Sequence, residues 1–146
     1  MSVATSIDLV FSLRGDSAAF VVELVVALGR EGWSPGDDPL HLAVGDIDDF
    51  DWINRPLSQR ELLDLLRQKE LAAERSGVEL LQASGEGVQL LHLGDGVVSL
   101  SPSVNRRRLS TESRATDLSW YLARLLPAAS AVTTGSLESY RVEETA

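Results

Sequence analysis

Six aspartates lie close together in the first half of the chain, and they are the first candidates for chemistry in this sequence. They fall within fifteen residues, with no lysine or arginine between Arg30 and Arg55. Clustered carboxylates bind hard cations such as Ca²⁺ and Mg²⁺, and they also attract positively charged proteins. The six residues are Asp37, Asp38, Asp46, Asp48, Asp49 and Asp51.

Residues 45–52 could supply oxygen ligands to a cation, but they depart from the EF-hand loop. Counting from Asp46, the sixth position is Asp51 where that loop needs glycine, and the twelfth is Leu57 where it needs a bidentate glutamate. A solvated acidic loop and a surface that faces a partner are the other two interpretations, and the sequence leaves all three open.

Two aromatic residues within the acidic segment favour the partner-facing interpretation. Closely spaced carboxylates speed association with a cationic protein, and an aromatic anchor ringed by charge is a common hot-spot composition. The alternative for Trp52 is that it fills the core. The residues predicted to bind a partner are Asp37, Asp38, Asp46, Asp48, Asp49, Phe50, Asp51 and Trp52.

Other catalytic patterns are missing from the sequence. The chain has no cysteine, no phosphate-binding glycine loop and no G-x-S-x-G motif. His41 and His92 are its two histidines, and both fall in predicted strands beside leucines, which is typical of structural histidines. We therefore expect a protein that is not an enzyme and that has no catalytic residue and no cofactor.

A run of three arginines, Arg106 to Arg108, forms a patch of opposite charge together with Arg114. The run could contact RNA or a carboxylate-rich partner. It could also pair with the acidic loops of the chain itself or face water. Whether this patch contacts a partner stays open.

The composition predicts a single globular domain over residues 1–146. Aspartate and glutamate number 22 against 13 lysines and arginines, which gives a net charge of −9. A field of that sign disfavours nucleic acid and anionic membranes and attracts basic proteins. The first residues lack the pattern of a signal peptide, and no cysteine is present, so we expect a protein of the reducing cytoplasm.

The elements that must position these residues follow the order β-α-β-α-β-β-β-α-β. Strands are predicted at residues 7–13, 41–44, 78–84, 88–93, 97–104 and 136–142, the last at a sheet edge, with 45–55 as an acidic or irregular segment. Helices are predicted at 17–30 and 58–75, and a third opens near Thr116 or Asp117 until Pro127 kinks or ends it. This order predicts an α+β fold with a mixed, mainly antiparallel sheet and three helices.

Two helix ends have specific predictions. Ser58 and Glu61 match a capping box, and the helix that they open should stop at Gly77. Asp16 or Ser17 should cap the first helix.

Three segments resemble small bacterial immunity proteins, which accompany polymorphic or contact-dependent toxins. They are Trp33 with the aspartate-rich residues 46–52, the strand and turn at 99–106, and residues 116–122 at the start of the last helix. The resemblance implies tight, stoichiometric inhibition of a toxin in the cytoplasm, without turnover of a substrate.

The preferred hypothesis is therefore a non-catalytic immunity protein that binds a basic toxin domain. A structural or regulatory module of a larger assembly and a carboxylate-based, metal-dependent enzyme are the alternatives. An enzyme would need two aspartates that converge in a pocket, one with a raised pKa.

Overall fold

Three helices and seven strands make up the described part of the chain. A computed structural model describes residues 3–15, 18–43 and 51–145. The helices are α1 (Phe20–Arg30), α2 (Gln59–Leu71) and α3 (Leu118–Ala131). The strands are β1 (Ala4–Leu13), β2 (Leu40–Leu42), β3 (Trp52–Asn54), β4 (Ser76–Leu81), β5 (Gly87–Gly94), β6 (Val97–Pro102) and β7 (Gly135–Thr145). None of these helices has the length and apolar character that crossing a membrane requires.

All seven strands belong to one sheet with the order β3-β2-β4-β5-β6-β1-β7. Every described strand pair is antiparallel, which confirms the predicted α+β fold with a mainly antiparallel sheet. The prediction that 45–55 is irregular is wrong at its end, because Trp52 and Asn54 pair with Leu42 and Leu40. The sequence predicted the edge position of β7 correctly, although the strand is longer than expected.

The helices pack on one face of the sheet. Side chains alternate along each strand, so Ile7, Leu100, Leu90 and Val78, which are aligned across four strands, share a face. These residues form one buried cluster with residues of all three helices, such as Leu66. The opposite side, which carries Asp8, Ser99, Leu91 and Gly77, receives no described helix. We call it the open face.

Helix α2 begins as predicted and ends earlier. The Ser58 hydroxyl accepts a hydrogen bond from the Glu61 amide at 3.1 Å, and Glu61 Oε1 accepts one from the Ser58 amide at 3.0 Å. The predicted stop at Gly77 is wrong, because the helix ends at Leu71 and Ala73 makes the turn with φ of 54°. The Glu74 amide then donates to the Lys69 carbonyl at 2.8 Å, which satisfies a carbonyl of the last turn.

Helix α1 receives its cap from another helix. The predicted caps Asp16 and Ser17 lie outside the described residues, and Ala19, at the N-cap position, supplies no side-chain cap. Instead, the Val21 amide donates to Glu70 Oε1 of α2 at 3.0 Å. The carboxylate of α2 thus satisfies an amide of the first turn of α1.

Helix α3 starts where expected and continues past its proline. Asp117, one of the two cap positions that the sequence predicted, accepts a hydrogen bond from the Trp120 amide at 3.3 Å. The helix does not end at Pro127 but extends to Ala131. Ala128 and Ala129, which follow the proline, are buried in the core. Proline has no N–H, so one helix hydrogen bond is missing at Pro127. The burial of Ala128 and Ala129 offsets this loss.

Candidate functional site

The acidic segment does not gather at one point in the part that the structure describes. Asp37 and Asp38 are exposed just before β2, and the exposed Asp51 lies just before β3. Because β2 and β3 are antiparallel, these aspartates lie beyond opposite ends of their three-residue ladder, which is itself roughly 10 Å long. The other predicted residues, Asp46, Asp48, Asp49 and Phe50, lie outside the described residues.

The backbone around Asp37 and Asp38 is anchored beside β3. The Asp37 carbonyl accepts a hydrogen bond from the Leu57 amide at 3.4 Å, and the Asp38 carbonyl accepts one from Asn54 Nδ2 at 3.2 Å. Main-chain oxygens make these contacts, so the loop is fixed without using either carboxylate. Both aspartates therefore lie exposed on a defined backbone.

Trp52 lies on the open face and does not fill the helix-side core. It is half-buried, and it is not part of the core cluster that the helices form with the sheet. Its ring tip lies over Gly77, where an added Cβ would be 2.6 Å from Trp52 Cη2. The ring can lie against the β4 backbone only because Gly77 has no side chain. An aromatic ring is left part-exposed beside Asp51.

Ion pairs and hydrogen-bonded carboxylates cluster at one end of the sheet, which we call the arginine end. It comprises the turn between β4 and β5, the connection from β6 to α3 and the last residues of β7. Arg107 lies 3.3 Å from Glu86 and 3.8 Å from Asp117, and its guanidinium stacks over the Trp120 ring at 5.2 Å. Hydrogen bonds, first from Ser84 and then from Arg107, hold the pKa of Glu86 below its usual value. Part of the arginine run is thus bound to the protein's own acids.

Glu144 is the second matched carboxylate of the arginine end. It accepts hydrogen bonds from the Thr5 hydroxyl at 2.7 Å and from the Thr116 amide at 3.0 Å. Arg106 in turn donates to the Thr116 hydroxyl at 2.8 Å. Burial acts to raise the pKa of Glu144, but these hydrogen bonds outweigh it and lower the pKa. The network thus links the start of β1 and the end of β7 to the residues just before α3.

The other end of the sheet contains a cavity of about 440 Å³, and we call it the cavity end. The connection from β1 to α1, the turn from α2 to β4 and the hairpin between β5 and β6 surround it. Its polar lining includes Glu70, Glu74, His92 and Asp95. Sequence reasoning missed this cavity because three segments that are distant in the chain form it.

His92 is buried at the cavity without a hydrogen-bond partner. Its side chain is 4% exposed, and within the described part of the chain neither ring nitrogen has a partner. The hydroxyl of Ser76, which lies opposite His92 on β4, is also buried and unpartnered among these residues. Burial lowers the pKa of His92, and the nearby Asp95 opposes this only in part. The imidazole is therefore neutral at pH 7.

Glu70 also favours its neutral form more than an ordinary glutamate does. Burial raises its pKa, although hydrogen bonds from the Val21 and Phe20 amides act in the other direction. Its neighbour Glu74 lies 3.4 Å from the fully buried ammonium of Lys69, which also donates to the Ala43 carbonyl at 2.5 Å. Lys69 continues the buried stripe of α2 three residues after Leu66, and this spacing is the signal that could have revealed its burial.

His41 lies in β2, as its predicted strand position implied, and its Nε2 atom is buried without a partner among the described residues. It is fully buried, and its Nδ1 lies 2.7 Å from the Pro39 carbonyl oxygen. Across residues 3–15, 18–43 and 51–145, no group of three or more histidine, aspartate or glutamate side chains is placed to hold a metal ion. The cation-binding interpretation depends on Asp46, Asp48 and Asp49, outside those ranges.

No protein-family model, no curated protein and no solved structure matches the chain.

Proposed function

We propose that this chain is a non-catalytic binding protein that neutralises a basic protein partner by stoichiometric association, as immunity proteins do with toxins. It acts in the cytoplasm, where the toxin would otherwise act on the producing cell. The net charge of −9 favours association with such a partner.

The position of Trp52 is the observation that carries this proposal. The ring is half-buried on a sheet face without a described helix, with exposed aspartates at both ends of the β2–β3 ladder. A part-exposed aromatic supplies contact area at little entropic cost, and surrounding carboxylates steer a cationic surface toward it. The edge strand β3 presents this anchor, and its backbone is paired with β2 through Trp52 and Leu42.

A growth assay tests the proposal. The C-terminal domain of each protein encoded by a neighbouring gene is expressed in cells, with and without co-expression of this chain in full length. One of these domains is expected to arrest growth, and co-expression of the chain is expected to restore it. Calorimetry on that pair should give a 1:1 complex.

Variants of the proposed surface sharpen the assay. Trp52→Ala combined with Asp51→Asn should slow association, weaken its salt dependence and reduce the rescue. Glu138→Gln combined with Glu143→Gln is the matched control, since it removes two exposed charges from β7 at the far edge of the sheet. Equal rescue by both double variants would contradict docking at Trp52. The absence of any toxic neighbour would contradict the immunity role itself.

A further inference from the structure

The cavity has the size and position of a binding pocket. Its volume of about 440 Å³ lies within the range of roughly 300–1,000 Å³ that is typical of ligand sites. It opens at the end of the sheet where the β5–β6 hairpin, the α2–β4 turn and the start of α1 meet. It is separate from the ladder that carries Trp52.

The charged residues among the described lining are all acidic. They are Glu70, Glu74 and Asp95. Lys69 is paired with Glu74 at 3.4 Å and is fully buried outside the lining, so Glu70 and Asp95 supply the acidic character of the cavity. A concave site lined by one sign of charge concentrates ions of the opposite sign. The cavity therefore favours a cationic group.

His92 is an independent observation that points to a ligand. Buried polar atoms are nearly always hydrogen-bonded, yet both ring nitrogens of His92 lack a partner within the described part of the chain. The neutral ring holds one nitrogen that accepts a hydrogen bond. An N–H donor brought to one of these nitrogens would supply the missing partner, and this requires a shift of the ring, because neither nitrogen is solvent-accessible.

The rim of the cavity is apolar and exposed. Leu71 is 71% exposed, Leu93 is 42% exposed and Leu13 is 39% exposed. Arginine and lysine side chains carry a charged head on an apolar stem, so a rim of leucines around acidic and imidazole groups complements both parts.

We infer that this cavity receives an arginine or lysine side chain of the basic protein partner, with the cationic head toward Glu70, Asp95 and His92 and the stem against the leucine rim. The inference rests on the proposed function and adds a second contact to it. Entry of a cation beside Glu70 also stabilises the ionised carboxylate that burial disfavours.

Titration of the ¹⁵N-labelled full chain tests the inference by nuclear magnetic resonance. The probes are the Nα-acetyl methylamides of arginine, lysine, leucine and glutamine. Arginine and lysine should shift the amides of Ala73 and of Leu93 to Gly96 and should saturate at millimolar concentration. Leucine and glutamine amides, which lack the charge, should leave these signals in place.

Substitutions assign the shifts to the cavity. Asp95→Asn should weaken the arginine affinity at least about threefold, and asparagine tolerates the left-handed backbone at this position, where φ is 52°. Glu70→Gln should have a similar effect, although its contact with α1 makes Asp95→Asn the cleaner variant. Asp37→Asn combined with Asp38→Asn is the control and should leave the titration unchanged.

The outcomes separate this inference from the proposed function. Shifts that are absent, that are equal for leucine amide, or that survive Asp95→Asn overturn the cavity inference. Growth rescue that Asp95→Asn leaves intact also overturns the partner contact, while the Trp52 surface stands. If arginine binds the cavity and no neighbouring protein is toxic, the proposed function fails and a cation-binding cavity remains.

Discussion

At the arginine end, the carboxylate of Glu144 accepts hydrogen bonds from Thr5 and Thr116, and Arg107 lies against Glu86. At the cavity end of the same sheet, the buried ring nitrogens of His92 find no partner in the described chain. The ionised forms of Glu86 and Glu144 are stabilised, because their pKa values are lowered. At the cavity, burial raises the pKa of Glu70 and lowers that of His92, so both shifts favour neutral groups.

The difference separates carboxylates whose ionised form is stabilised, such as Glu86 and Glu144, from Glu70, which caps α1 but whose burial favours the neutral form. A carboxylate whose oxygens are taken by hydroxyls, amides and a guanidinium contributes to stability. Ionisable groups that are buried without such matching cost stability, and they cluster at functional sites. The number of acidic residues in a segment therefore does not identify a site by itself, whereas their hydrogen-bond partners do.

The largest expected effect concerns the two half-buried tryptophans. Trp120 packs edge-on against Trp33 and Tyr121, and the guanidinium of Arg124 lies 4.3 Å from its ring centre. Trp120→Ala should lower the free energy of unfolding by about 3 kcal/mol, because it opens a cavity and removes the stack. Urea denaturation at pH 7 measures the loss.

Trp52→Ala is the matched control at the opposite edge of the sheet. Trp52 packs over Gly77, outside the core, so the cost should be only about 1 kcal/mol. Equal costs for the two tryptophans would mean that Trp52 is part of the structural core and would remove the case for a docking anchor.

Local sequence signals predicted the helix starts best. The capping box of Ser58 and Glu61 forms as expected, because it depends on residues three positions apart. The end of α2 was not predicted, since Ala73 adopts a left-handed conformation that usually requires glycine. The three hydrogen bonds of Ala72, Ala73 and Glu74 to the last turn hold this alanine in place, and the sequence pattern does not encode them.

Glu23 provides the second prediction, because it is a matched carboxylate away from the arginine end. It accepts hydrogen bonds at 2.5–3.0 Å from the amides and hydroxyls of Thr133 and Thr134, which join α1 to the start of β7. Burial acts to raise its pKa, but these bonds together lower the pKa to about 2 from 4.5. Glu23→Ala should cost about 1–3 kcal/mol at pH 7.

The pH dependence of that cost follows from the lowered pKa. The contribution of Glu23 is fully present above the unfolded value of 4.5, and it is lost as the pH falls through the folded value of about 2. Solvent screening reduces its size because the side chain is partly exposed. Unfolding curves at pH 7 and pH 3 should show a smaller difference between Glu23→Ala and wild type at pH 3. A constant difference would contradict the assignment.

The candidate sites could be predicted only in part. The position of Trp52 among aspartates marks it as a candidate contact residue. Its strand is not predictable, because three residues carry too little pattern to reveal pairing with β2. The cavity was not predicted at all. Its lining residues Glu70 and His92 are brought together by tertiary contacts, and although His92 is one of two histidines, the sequence does not place Glu70 beside it.

The third prediction concerns His92, whose replacement should change the free energy of unfolding by at most about 1 kcal/mol. His92→Phe removes two unpartnered nitrogens and keeps a ring beside Phe20, whose centre lies 5.6 Å away. At pH 7.5 the variant should be as stable as wild type or more stable by up to about 1 kcal/mol. Denaturation midpoints at pH 7.5 and pH 5 measure the comparison.

The direction of the stability change below pH 7 follows from the lowered pKa of His92. The unfolded histidine, with a pKa of 6.5, takes up a proton before the folded one does, so wild type loses stability as the pH falls below 6.5. Asp95 faces the ring and reduces the loss, whereas Ser76 carries no charge. The phenylalanine variant should lose less stability between pH 6.5 and pH 5. An identical slope in the two proteins would show that His92 does not titrate within this cavity wall.

The last effect, at Gly77, is of similar size to that at His92, and its sign is the informative part. An alanine Cβ at this position would lie 2.6 Å from Trp52 Cη2 and 3.1 Å from the Leu90 carbonyl oxygen, so the tryptophan ring must move away from the sheet. Gly77→Ala should cost about 1 kcal/mol and should make Trp52 more accessible to acrylamide quenching. Gly29→Ala, inside α1 with nothing within 4 Å of the new Cβ, should instead stabilise by about 0.5–1 kcal/mol. If both substitutions stabilise, the ring does not rest on Gly77, and the open face holds its aromatic residue more loosely than the docking proposal requires.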